Sequence, residues 1–163
     1  MISVRAESPR TEDATRLLGE AFDELARRYA DYSQTDAARL PVEQAEQTGA
    51  VFLIARFADN VAAVGCVVLR PLPDFAEPTT EMKRMFVLAE ARGRGVGSAL
   101  MAAVEREART MGYTRLRLET GVLQPEAIAL YEKYGFVRIA CWGAYAADPD
   151  SVCYEKVLAT SGG

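Results

Sequence analysis

The most informative stretch of the sequence is Arg92-Gly93-Arg94-Gly95-Val96-Gly97, followed by Ser98. It stands between an apolar, strand-like segment ending at Val87 and a segment with helical apolar spacing that begins at Val96. The N-terminus of a helix carries unpaired N–H groups and a partial positive charge, and glycines let a phosphate approach the backbone. The stretch therefore predicts a phosphate-binding turn, to which Arg92 and Arg94 add formal charge.

Two common nucleotide motifs do not fit this turn. A P-loop ends in GK[ST], and Gly97-Ser98-Ala99 lacks the lysine. A dinucleotide fingerprint has the spacing GxGxxG directly after a strand, whereas this turn is GxGxG and begins five residues beyond Val87. Because Glu119 ends the next strand, about where a ribose-binding acid would lie, an NAD-dependent oxidoreductase stays open as an alternative. A purely structural turn is the other alternative.

The segments on both sides of the turn predict one mixed α/β domain over residues 1–163. Strands are expected at 2–6, 51–57, 61–69, 80–87, 115–120, 136–140 and 152–158. Helices are expected from an N-cap at Thr11, from Pro41 to Gln47, from Val96 to Met111 and from Pro125 to Tyr134. This order indicates an α/β sandwich around a twisted, partly antiparallel sheet.

Composition excludes several classes of site. The chain has no histidine, so a Ser-His-Asp or Cys-His catalytic group is excluded. Its three cysteines, Cys66, Cys141 and Cys153, form no CxxC pair, so we expect no metal site but buried free thiols in a reducing cytoplasm. The net charge of −4 argues against a nucleic-acid partner, and no signal peptide or membrane span is apparent.

The glycine turn and its surroundings resemble the GNAT superfamily of N-acetyltransferases. Arg92 to Gly97 matches the R/Q-x-x-G-x-G/A signature of that family. The stretch 81–87 resembles its fourth strand, and residues 118–121 with 124–136 resemble its later strand and helix, ending in Tyr-x-x-x-Gly-Phe. The resemblance covers about residues 50–140, and the first 50 residues agree only in general layout.

The resemblance implies a mixed, mostly antiparallel sheet, flanked by helices, whose fourth and fifth strands splay apart to hold acetyl-CoA. Backbone groups of Met85, Phe86 and Val87 would bind the pantetheine arm, and one N–H there would serve as an oxyanion donor. Gln124 would also contact that arm, although many members carry Asn at this position. The backbone N–H groups that would hold the pyrophosphate belong to Arg92, Gly93, Arg94, Gly95, Val96, Gly97 and Ser98.

The resemblance also implies direct attack of a primary amine on the thioester in a ternary complex. Tyr131 is the candidate acid for the departing thiolate, because related enzymes point this tyrosine at the cofactor sulfur. The alternative is that Tyr131 is a packing aromatic, in a stripe with Ile128 and Tyr134.

Two glutamates are candidates for the base that deprotonates the amine. Glu81 lies where some family members carry a catalytic glutamate. For that role burial would have to raise its pKa, or a water would have to relay the proton. Its alternative is an exposed carboxylate paired with Lys83 or Arg84. Glu119 is the second candidate, and its alternative is a surface residue opposite Arg115 or Arg117.

The sequence leaves the acceptor open between a small molecule and a peptide. Residues 20–47 carry an acidic excess that would steer a cationic amine, or that is an ordinary solvated surface. A noncatalytic acyl-CoA-binding sensor is a further alternative to the enzyme. The resemblance favours a homodimer over a monomer.

Overall fold

Seven strands form one sheet in the computed structural model, which describes residues 1–29 and 41–159. The sheet order is β1-β2-β3-β4-β5-β7-β6, and every neighbouring pair is antiparallel except β4–β5. The strands are β1 Ile2–Ala6, β2 Val51–Phe57, β3 Ala63–Pro71, β4 Thr79–Val87, β5 Arg115–Gly121, β6 Val137–Ile139 and β7 Ser151–Val157. The predicted mixed, mostly antiparallel sheet is confirmed.

Three α-helices flank this sheet within the described residues: α1 Glu12–Arg28, α2 Val96–Thr110 and α3 Pro125–Lys133. The expected N-cap of α1 is present, because Thr11 Oγ1 accepts a hydrogen bond from the N–H of Ala14 at 3.1 Å. The helix predicted from Pro41 to Gln47 is only a short 3-10 turn, Val42–Ala45. Four residues are too few for the packed amphipathic face that stabilises a longer helix.

The loop between β2 and β3 is longer than predicted, since β3 begins at Ala63 rather than at residue 61. Asn60 Oδ1 accepts a hydrogen bond from the N–H of Ala62, and Arg56 Nε donates to the carbonyl of Val61. These side-chain bonds hold the backbone of residues 60–62 in a turn. They use the Val61 carbonyl and the Ala62 N–H, which a longer β3 would have needed for hydrogen bonds to the next strand.

The parallel pair β4–β5 stays together over only half of β4. Pairing runs from Thr79 opposite Arg115 to Met82 opposite Leu118, and then stops. Beyond this point β4 remains paired with β3, across an irregular register, and Arg84 adopts a positive φ of 58°. The two strands therefore part, which confirms the predicted splay.

Helix α2 packs on one face of the sheet through its buried apolar side chains. A Cβ on Gly65 of β3 would lie 3.0 Å from Val96, so strand and helix approach closely at this glycine. On β7, Lys156 forms an ion pair with Glu105 of α2, which places Lys156 on the same face. Leu116 of β5 lies opposite Lys156, so its side chain is also on the α2 face. Side chains alternate along a strand, so Glu119, three residues later, projects from the face away from α2.

The prediction of three free thiols is wrong for two of them. Cys141 and Cys153 form a disulfide with a Cα–Cα distance of 5.2 Å, and Cys66 is free and buried. Cys153 lies opposite Ile139 in the β6–β7 ladder, so the chain needs only two more residues to place Cys141 within bonding reach. Spacing in the sequence does not reveal this register.

Neither a membrane-spanning helix nor a metal-binding cluster was found in the described part of the chain. None of its helices is long and apolar enough to cross a membrane. Its Cys, Asp and Glu side chains nowhere form a group of three that could hold a metal ion.

Candidate active site

The glycine turn has a backbone conformation, with positive φ, that only glycine adopts readily. Gly93 has a φ of 76° and Gly95 a φ of 89°, and Gly95 is the N-cap of α2. No side chain caps this helix start, so its first N–H groups have no partner within the helix. The turn therefore presents free backbone donors and the positive end of a helix dipole, as phosphate binding requires.

A cavity of about 490 Å³ lies between this turn, the end of β4 and α3. It brings together most of the predicted cofactor-binding residues. The predicted residues that line it are Met85, Phe86, Val87, Arg92, Gly93, Gly95, Val96, Gly97, Ser98, Gln124 and Tyr131. Arg94 is not among the lining residues, and its guanidinium lies 3.9 Å from the centre of the Phe57 ring.

The Arg92 side chain forms hydrogen bonds from the turn to the end of β4 and to α1. Its Nε donates to the carbonyl of Val87 at 2.9 Å, and its Nη2 donates to Glu24 Oε2 of α1 at 2.8 Å. Glu24 also pairs with Arg28, at 3.5 Å, and both line the cavity. Sequence reasoning missed this role of α1, because an i,i+4 Glu–Arg pair is ordinary on any exposed helix.

The backbone of Val87 faces the opening between β4 and β5. The next residue, Leu88, donates its N–H to Val64 on the β3 side at 2.9 Å. Because successive N–H groups of a strand point to opposite edges, the N–H of Val87 points away from β3. The bond from Arg92 to the Val87 carbonyl agrees with this orientation. A polarised carbonyl held in the opening would meet an N–H donor here.

Tyr131 lies on α3, is buried, and lines the cavity. Its ring packs edge-on against Phe136 at 5.9 Å between centroids. Burial, and then the charge of Glu119, raise the pKa of the Tyr131 phenol. The hydroxyl therefore keeps its proton at neutral pH and is a donor on the cavity wall.

Glu81 is fully buried and already held on two sides. Its carboxylate accepts hydrogen bonds from Arg70 Nε at 2.6 Å and from Tyr145 Oη at 2.9 Å. The expectation of an exposed carboxylate paired with Lys83 or Arg84 is wrong, because Arg70 lies opposite Glu81 in the β3–β4 register. Neither Glu81 nor the second candidate base, Glu119, lines the cavity that contains Tyr131.

Glu119 lies partly buried at the end of β5, beyond the last β4–β5 pair. It accepts a hydrogen bond from Ser151 Oγ at 2.6 Å. Burial raises the pKa of Glu119 to about 7, against the opposing effects of Ser151 and Lys83. A carboxylate with this pKa accepts protons near neutral pH. The expected alternative, pairing with a neighbouring arginine, is wrong, since Arg115 and Arg117 both bind Glu155 instead.

Comparison with known proteins agrees with this site. The profile of the Acetyltransferase (GNAT) family matches residues 13–136. An IAA acetyltransferase of Azospirillum brasilense is 35% identical over 158 residues, which are 96% of this chain and 98% of that protein. The oxidoreductase alternative receives no support from either match.

Solved structures show the same fold. A Klebsiella pneumoniae protein, named as an acyl-CoA N-acyltransferase, superposes with a TM-score of 0.77 at 30% identity, over 97% of this chain and 98% of its own. A GNAT acetyltransferase from Elizabethkingia anophelis, with acetyl-CoA bound, gives a TM-score of 0.67 at 22% identity, over 96% and 98%. With the family profile covering most of the described residues, the chain belongs to the acetyltransferase (GNAT) family and is an N-acetyltransferase.

Proposed function

We propose that this protein transfers the acetyl group of acetyl-CoA to a primary amine by direct attack in a ternary complex. The observation that supports this most is the opening beyond Met82, where β4 and β5 part and the glycine turn faces the same cavity. A donor can enter from the cavity side while an amine approaches between the two strands.

Acetyl-CoA is the cosubstrate of this acetyltransferase, and the residues of the cavity fit its parts. A pyrophosphate suits the uncapped start of α2, where the glycines at 93 and 95 leave the backbone bare. An extended pantetheine arm suits the unpaired edge of β4 up to Val87. Gln124 begins α3 without using its side chain as a cap, and its amide, which forms a hydrogen bond with the Tyr29 hydroxyl, lines the cavity that would hold that arm.

Two side chains carry the proton transfers in this proposal. Tyr131, protonated and on the cavity wall, gives a proton to the departing thiolate. Glu119 takes the proton from the amine, directly or through a water, because its pKa of about 7 is suited to a base. The geometry favours Glu119 over Glu81 for this step, because both Glu81 oxygens already accept strong hydrogen bonds. Glu81 then acts by holding Tyr145 in place.

Three properties stay predictions: the acceptor is a small-molecule or peptide amine, the protein forms a homodimer, and it is located in the cytoplasm. Glu24 belongs to the acidic excess at 20–47 but faces the cavity and pairs with arginines, so it does not steer an amine from solvent. Residues 30–40 of that excess lie outside the described residues.

Thermal unfolding with acetyl-CoA, followed by a thiol-release assay with amines, tests the proposal. A ligand at about 100 times its dissociation constant stabilises the fold by about 2.7 kcal/mol, which raises Tm by several degrees. NAD and ATP are the matched controls and should give no shift. A shift without thiol release from any amine would instead indicate the noncatalytic acyl-CoA sensor, and no shift with acetyl-CoA would refute the proposal.

A further inference from the structure

Lys83 lies at the point where β4 and β5 begin to separate. It is the first β4 residue beyond the last pair, Met82 opposite Leu118, and Glu119 is the first β5 residue beyond it. In a parallel pair the residues at one level share a face, so both side chains project from the face away from α2. Lys83 and Glu119 therefore flank the opening, one on each strand.

The ammonium of Lys83 is held by a hydroxyl rather than by a carboxylate. Nζ donates to Tyr145 Oη at 3.0 Å, and it forms no ion pair with an acid of the described residues. The acid two residues before it, Glu81, is occupied by Arg70 at 2.6 Å and by Tyr145 at 2.9 Å. An ammonium has three donors, so two N–H groups of Lys83 remain for another acceptor.

This arrangement is costly without a ligand. Burial lowers the pKa of Lys83, and the nearby charges of Glu81 and Glu119 oppose that effect only in part. The Lys83 side chain is partly buried, and a single neutral hydroxyl does not replace the hydration that its ammonium loses. An anionic group entering the opening would supply the missing partner.

We propose that the acceptor is a small amine that also carries a carboxylate, such as an amino acid, and that Lys83 binds this carboxylate. The inference rests on the proposed acetyl transfer. A zwitterion places its carboxylate on the Lys83 flank and its amino group on the Glu119 flank, so each charge meets its opposite across the opening. A lysine side chain of a protein brings no carboxylate beside its amine and would leave Lys83 unpaired.

The test compares the twenty standard amino acids with their amides in the thiol-release assay. We expect at least one amino acid to exceed its amide in kcat/KM by about 10- to 100-fold, as a charge-assisted hydrogen bond provides. Lys83→Met should remove this preference, and Lys83→Arg should restore part of it. Lys133→Met, at an exposed position of α3, is the matched control and should keep the preference.

Equal or better turnover of the amides, or a preference that survives in Lys83→Met, would overturn the inference. Turnover of simple alkylamines without carboxylate preference would refute the inference alone and leave the acetyl transfer standing. A readout without turnover is calorimetric binding of N-acetyl amino acids and their amides to the CoA-loaded protein. Binding that does not depend on the carboxylate, or no binding by any of them, would also overturn it.

Discussion

Replacing either of two glycines of the phosphate turn by alanine should change stability in opposite directions. Gly95 has a φ of 89°, a conformation that costs an L-residue roughly 1–2 kcal/mol. Its new Cβ would meet Ile2 at 3.7 Å, an ordinary contact that adds no clash. Gly95→Ala should therefore lower the free energy of unfolding by about 1–2 kcal/mol, from backbone strain alone.

Gly97 is the second residue of α2 and has a helical backbone. A Cβ there would contact Leu130 at 3.5 Å, which the packing tolerates. Alanine in place of a helical glycine gains roughly 0.5–1 kcal/mol, so Gly97→Ala should raise the free energy of unfolding by about that amount. For a domain of this size about 1 kcal/mol corresponds to about 2–4 °C in Tm.

Thermal unfolding of the wild type and the two variants measures both effects. Acetyl-CoA affinity gives a second readout: Gly95→Ala should weaken it about tenfold by displacing the N–H donors. Gly97→Ala should change it by less than about threefold, since the family signature allows alanine there. If both variants lost stability equally, the assignment of strain to Gly95 and of helical backbone to Gly97 would be refuted.

The remaining predictions concern the chemistry and the disulfide. Tyr131→Phe should lower turnover about 100-fold while acetyl-CoA affinity stays within about threefold; unchanged turnover would leave Tyr131 only a packing role. Because Glu119 must lose its proton to act as a base, kcat/KM should rise with pH around its pKa of about 7, and Glu119→Gln should lack that limb of the profile. The same raised pKa means that ionisation of Glu119 disfavours the folded state, so its contribution to stability should fall as pH rises from the unfolded pKa of about 4.3 through the folded one. Cys141→Ala should lower the free energy of unfolding in urea by about 2–4 kcal/mol. Dithiothreitol should destabilise the wild type but not this variant, and a wild type insensitive to reductant would contradict the bond.

Local signals in the sequence predicted the glycine turn and the elements on either side of it. The glycines of the turn, the N-cap Thr11 and the apolar spacing of α2 each depend on residues within a few positions of one another. The family signature added the splay of β4 from β5, which no periodicity of either strand expresses. These features were predictable because short stretches of chain determine them.

Features that depend on register between distant strands were not predictable. The pairing of Arg70 with Glu81 follows from the β3–β4 register, and it occupies one oxygen of the Glu81 carboxylate. The disulfide follows in the same way from the β6–β7 register. A single sequence shows which residues alternate along a strand, but not which residue of the next strand lies opposite.

The parting of β4 from β5 has a consequence for how the preference of this enzyme can change. In the proposed binding mode, the groups that contact the acetyl donor are mainly main-chain amides, which most substitutions leave in place. The groups proposed to contact the acceptor are the side chains of Lys83, Glu119 and Tyr145, each of which a single codon change can replace. Evolution or design can therefore retarget the amine while the same thioester continues to be used.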